Sequence, residues 1–104
     1  MCIRDSADEG ETSVMLACRP ELVKMDRAVR DDKFGRMVEA LTGGKPENMP
    51  KVYLHFRELT KTGVLGDATK ASRRKGLEVL EAVVENTAKL IERLGEMLKG
   101  VRLR

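Results

Sequence analysis

A few residues in this chain of 104 have the types needed for acid–base or metal chemistry, and their spacing says how far that chemistry goes. Glu11 follows Asp8 by three residues and opens a short apolar run ending at Cys18. The spacing predicts a capping box, with Asp8 as N-cap and Glu11 at the third helical position, where the helix dipole favours carboxylates. His55 is the single histidine and has no acidic partners at ligand spacing. No metal site is expected to assemble around it. Cys2 and Cys18 show neither metal spacing nor a disulfide framework, and Cys18 reads as a small buried hydrophobe.

Two further stretches invite a binding function and do not support one. The loop Thr62-Gly63-Val64-Leu65-Gly66-Asp67 precedes a helical pattern, but its glycines match neither the P-loop nor the dinucleotide fingerprint, and Asp67 would repel an anion. It reads as a turn that ends in a cap. Arg73-Arg74-Lys75 is the densest basic cluster, followed at once by Glu78 and Glu81 and with no aromatic neighbour. A solvated or subunit-facing helix face is expected there, not a phosphate track.

The elements that position these residues follow from periodicity. Glu11 to Cys18 reads as a short helix, apolar on most sides through Val14, Met15, Leu16 and Cys18, which predicts a helix buried between layers. Pro20 ends or kinks it and opens a new turn in which Leu22, Val23 and Met25 return to the core. Arg30-Asp31-Asp32-Lys33 reads as a polar turn, Phe34, Met37, Val38 and Leu41 as a short helix, and residues 42–48 as a loop. Val52 to Arg57 alternates strictly, predicting one strand whose partners come from outside this chain or from a poorly formed pairing within it. From about Thr69 to Lys99, Leu77, Leu80, Val83, Val84, Ala88, Ile91, Leu94 and Leu98 recur at threes and fours, predicting a long amphipathic helix with Asp67 as its cap. Glu85 and Lys89 have the favourable order for a helical ion pair.

Composition sets the outer bounds. One domain is expected, with 41% hydrophobic and 36% charged residues and only Phe34, Tyr53 and Phe56 as aromatics. So few large rings make a thin core and leave room for a partner surface. The net charge of +3 comes from a mixed surface, which argues against a nucleic-acid partner. No stretch approaches a membrane span or a signal peptide, so no membrane role and a reduced cytoplasmic setting are expected. The first six residues, MCIRDS, lack any cap or period tying them to the rest and read as a non-native leader, leaving 7–104 as the folded part.

The block EGETSVMLACRPELVKMD, Glu9 to Asp26, followed by TGVLGDATKASRRKG, Thr62 to Gly76, resembles the C-terminal part of the creatininase family. That family's motif runs roughly H-A-G-x-x-E-T-S-L-M-L and then R-P-x-L-V-x-M-D, with a later G-V-x-G-D element, and the likeness covers about residues 7–99. The resemblance implies a layered α/β fold, of which this chain supplies the C-terminal portion, mostly helical with one strand and a long last helix. It implies a parent amidohydrolase that uses divalent zinc or manganese against a cyclic or linear amide C–N bond of a small molecule, and that forms homo-oligomers. The family's metal ligands lie in its N-terminal portion, so no metal is expected on this piece. Of the site residues, the resemblance carries over Glu11, which supports an active-site histidine five positions earlier. Ser6 stands at that position here, and Asp8 replaces a motif glycine. The expected outcome is an inactive fragment; the rival expectation is a small helical module that binds protein or nucleic acid.

Overall fold

A computed structural model describes residues 6–51 and 53–101. Helix α1 spans Glu9–Cys18 and helix α2 spans Lys33–Thr42. The single-turn helix α3 spans Phe56–Leu59, and the long helix α4 spans Arg73–Leu98. Between them lie two short strands, β1 at Arg30–Asp31 and β2 at Gly66–Asp67, paired antiparallel with Arg30 opposite Asp67 and Asp31 opposite Gly66. The architecture is therefore mixed α/β and mostly helical, with the long helix last, as expected.

Helix α1 and helix α4 form the main packing contact, and small residues permit it. Ser13 is fully buried at the crossing, and Gly76 is buried opposite it. A Cβ on Gly76 would overlap the Ser13 carbonyl and stand 3.0 Å from the Cβ of Ala17. Only hydrogen at position 76 lets the backbones meet this closely. The Ser13 Oγ accepts the Ser72 N–H at 3.0 Å, tying the cap of α4 to the middle of α1. Ser72, not Asp67, is that cap: its side chain accepts the Lys75 N–H. Asp67 instead caps the preceding 3₁₀ turn, Ala68–Lys70, by accepting the Thr69 N–H. Asp67 is five residues too early to cap the helix that begins at Arg73, and the 3₁₀ turn lies between.

The second tie is Asp31. Its carboxylate accepts the Lys33 N–H at 3.1 Å, the Thr60 hydroxyl at 2.8 Å and the Lys61 N–H at 3.2 Å. Thr60 is buried, and its Oγ1 in turn accepts the Thr62 and Gly63 amides. These donors, led by the Lys33 amide, hold the Asp31 carboxyl below its ordinary value of 3.8. A carboxylate with a depressed folded-state pKa contributes stability that is complete above its unfolded value and lost as pH falls through the folded one. The urea midpoint is thus expected to be flat from neutral pH down to about 5 and to fall below about 4. Asp31→Asn should flatten much of that acid limb, and an unchanged acid limb in that variant would count against the arrangement.

Three expectations are corrected. Val52–Arg57 is not a strand: Tyr53, Leu54 and His55 have no ladder partner among the described residues, and Phe56 and Arg57 enter α3. Val52 lies outside the described residues. Backbone amides left without a neighbouring strand are better satisfied locally, and Glu58 does this by accepting the His55 N–H at 2.9 Å. The pairing comes instead from Arg30–Asp31, expected as a turn, and from the glycine loop. Gly63 and Gly66 do take left-handed φ values of 89° and 123° there. Cys18 is exposed, and Leu22 is 60% exposed, because α1 and the turn after it are covered on one side only.

The core is thin. Among the described residues the buried apolar side chains are Leu59, Leu65 and Ala68. The accessible surface is 8617 Å², whereas a compact monomer of 11.6 kDa exposes about 5,800 Å². The radius of gyration, 18.4 Å, compares with roughly 13 Å for a compact domain of this length. Helix α4 is exposed at every residue from Glu81 onward.

Candidate functional site

The two sequence blocks, separated by the thirty-five residues 27–61, meet around the N-terminus of α1. Ser6 and Leu65 form an antiparallel bridge, with Ser6 N–H on the Leu65 carbonyl at 3.2 Å and Leu65 N–H on the Ser6 carbonyl at 2.8 Å. Any residue but proline can make this backbone pairing. Next to it, Gly66 lies so close to Asp8 that a Cβ at 66 would stand 3.0 Å from the Asp8 Cβ. Further along, Lys75 of α4 reaches Glu9 at 2.5 Å and the Lys70 carbonyl at 2.9 Å. The glycine-punctuated loop is thus the surface on which the start of α1 rests.

Within that setting Glu11 has a defined job. Asp8 accepts the Glu11 N–H at 3.0 Å, which is the expected cap. The reciprocal bond differs from a standard capping box: Glu11 Oε2 accepts the Ala7 N–H at 2.6 Å, one residue before the cap. The Thr12 hydroxyl donates to the Ala7 carbonyl at 3.2 Å, so both sides of Ala7 are held. Ala7 needs that grip. Its φ of 48° is left-handed, a conformation that costs a non-glycine residue about 1 kcal/mol or more. Glu11 and Thr12 together hold a strained residue directly after position 6.

Glu11 also faces an open hollow lined by Ala7, Thr12, Met15, Leu22, Val23 and Lys24. The Pro20–Leu22 turn, with proline at its first position as expected, closes one side of it. The Arg-Pro-Glu-Leu-Val part of the first block therefore lies against the glutamate of the same block. Arg19 and Glu21 form an ion pair on the outside of this turn, and that pairing holds the Glu21 carboxyl below its usual range.

The remaining candidates lie elsewhere. His55 is exposed at the start of α3, edge-on to Tyr53 with ring centroids 5.5 Å apart. Among the described residues no group of three or more His, Cys, Asp or Glu side chains is placed to hold a metal ion. Of the basic cluster, Arg74 pairs with Glu78 at 2.7 Å and Lys75 with Glu9. The Glu85–Lys89 pair is formed at 2.6 Å. Sequence reasoning missed Ser13, Ser72 and Asp31, the three polar residues that fasten this region. Ser72 had a legible signal, a serine just before a helical run; Ser13 and Asp31 had none short of the contacts themselves.

The family model described as Creatininase: Creatinine amidohydrolase matches residues 6–91. Searches of curated proteins and of solved structures return no significant match.

Proposed function

The chain belongs to the creatininase family, and we propose that it is the C-terminal part of a metal-dependent amidohydrolase, inactive as it stands. Family membership makes the parent protein amidohydrolase-like. The finer reading is that the parent uses zinc or manganese, bound by residues outside this chain, to hydrolyse a cyclic or linear amide C–N bond. The metal, when bound, would supply a nucleophilic hydroxide near neutral pH.

In this reading Glu11 is a positioning residue. Its carboxylate grips the Ala7 amide, and so fixes the backbone that presents position 6. An imidazole at that position would be held by the Leu65 bridge on one side and the Glu11 clamp on the other. Ser6 cannot shuttle protons as imidazole does, which is the reason for proposing inactivity. That clamp beside position 6 is the observation that carries the proposal.

A homo-oligomer in a reducing, cytoplasmic setting, with a small-molecule amide as substrate, completes it. Among the described residues no helix is long and apolar enough to cross a membrane. The engagement of Arg74 and Lys75 by carboxylates weighs against their use on nucleic-acid phosphates.

The test is direct. The 104-residue polypeptide, given zinc or manganese and a panel of small cyclic and linear amides, is expected to release no product above the rate of buffer with metal. Turnover that scales with protein and is abolished by a chelator would refute the proposed inactivity.

A further inference from the structure

We propose that Thr12 is a second positioning residue beside Glu11, and that the two divide the work of aiming position 6. This role rests on the proposed function in one respect, that position 6 is where the parent protein carries its imidazole.

The backbone angles of Ala7 are rotations between two rigid peptide units, one joining Ser6 to Ala7 and one joining Ala7 to Asp8. Keeping Ala7 at its φ of 48° requires that both units be held. The first is pinned at both ends. Its carbonyl, that of Ser6, accepts the Leu65 N–H at 2.8 Å, and its N–H, that of Ala7, donates to Glu11 Oε2 at 2.6 Å. The second has one hold among the described residues, the Thr12 hydroxyl donating to the Ala7 carbonyl at 3.2 Å. Glu11 therefore fixes one unit and Thr12 the other. With the Thr12 bond gone, the second unit is free to rotate, and Ala7 returns to the negative φ that an L-residue prefers.

The acceptor that Thr12 uses is unusual for a helical threonine. Such a hydroxyl ordinarily turns back to the carbonyl three or four residues earlier. For Thr12 those carbonyls belong to Glu9, in α1, and Asp8, its cap. The hydroxyl passes both and takes the carbonyl five residues back, outside the helix. The Asp8 carbonyl is occupied by the Thr12 N–H at 3.1 Å. One residue thus holds two successive carbonyls, Asp8 through its amide and Ala7 through its hydroxyl. Branching at Cβ restricts the threonine side chain, so the hydroxyl is kept in place at a lower entropic cost than a serine would incur.

Position 6 is consequently tied to the glycine loop by its own backbone and to α1 by way of Ala7. A misplacement of about 1 Å in a reacting group can cost about a hundredfold in rate. Thr12 would act on the parent's reaction through that geometry, without touching the reacting atoms.

Nuclear magnetic resonance on the full chain tests the role. At positive φ the amide proton of Ala7 lies close to its own Hα and their cross-peak is strong; at negative φ it is weak. Side-chain order at position 6 is read in Ser6→His from the rotamer populations of the new imidazole, told apart from His55 by comparison with the unchanged chain. The Ala7 cross-peak is expected to be strong in the unchanged chain. Thr12→Val keeps the shape and loses the hydroxyl; it should weaken that cross-peak and average the imidazole rotamers. Thr12→Ser should restore most of both. Ala7→Gly, which reaches positive φ without strain, should make both readouts less sensitive to Thr12→Val. Protection of the Ser72 amide, which reports on the contact between α1 and α4, should stay unchanged throughout. A strong Ala7 cross-peak with an ordered imidazole in Thr12→Val would overturn the proposal, as would a Thr12→Ser chain that behaves like Thr12→Val. Loss of Ser72 protection in Thr12→Val would overturn it too, by showing that Thr12 holds the fold and not the turn. No readout involves hydrolysis, so failure here is separable from failure of the functional reading.

Discussion

Gly76→Ala is expected to destabilise the protein by about 3 kcal/mol, the upper range for forcing an added methyl into a packed contact. By propensity alone the change should help, since alanine in a helix interior is better than glycine by about 1 kcal/mol. The contact decides the sign. The added Cβ would collide with the Ser13 carbonyl, a backbone group that cannot rotate away, and would press on Ala17. Helix α1 would have to move off α4, straining the Ser13–Ser72 hydrogen bond and the Lys75–Glu9 ion pair on the same contact. Gly95→Ala provides the matched control. Nothing lies within 4 Å of a Cβ at that position, so the same substitution should stabilise by roughly 0.5–1 kcal/mol. Urea unfolding followed by circular dichroism reads both. If the two variants shift the midpoint in the same direction, the crossing is not as close as described.

Ser13→Ala is expected to cost about 2 kcal/mol, although it removes a single oxygen. Ser13 is completely buried, and its Oγ accepts the Ser72 N–H. Removing the acceptor leaves a part-buried backbone donor facing an apolar methyl, and a donor that loses its partner away from bulk water forfeits its desolvation cost. The loss falls at a sensitive place, because Ser72 is the residue whose side chain caps α4 through the Lys75 N–H. Hydrogen exchange at the Ser72 amide should accelerate in step with the global loss measured in urea. Unchanged protection of that amide would show that water or another group satisfies it.

Both predictions turn on residues that are unremarkable as letters. Ser13 lies inside an apolar run, and Gly76 is a helix glycine with no turn to make. Their meaning arises only when α1 and α4 are brought together. Asp31 is similar: in sequence it belongs to a run of charges, yet it fastens a loop thirty residues away through Thr60 and Lys61. Where the determinant is local, the sequence was readable. The Asp8 cap, the proline-led turn at Pro20, the α2 pattern from Phe34 to Leu41, and the Glu85–Lys89 pair each depend on residues within a few positions of one another.

The alternation from Val52 to Arg57 shows the opposite case. A period of two describes which way side chains would point if the backbone were extended, but it does not provide a neighbour to take the amide hydrogen bonds. Without a neighbour the segment turned into α3 at Phe56. The strands that do form are two residues long, too short for any alternation to register, and they are set by the meeting of Arg30–Asp31 with the glycine loop.

The sequence by itself determined the family, the helical content and the chemistry on offer: a capping glutamate, one histidine and no set of metal ligands at recognisable spacing. Those properties are carried by residue types and short separations. The tertiary structure alone decided that Ser6 pairs with Leu65, that the two motif blocks share one surface, and that α4 stays exposed from Glu81 onward. Each of these depends on groups far apart in the chain, whose distances are fixed only when close packing at Gly76 and hydrogen bonding at Ser13 and Asp31 set one element against another.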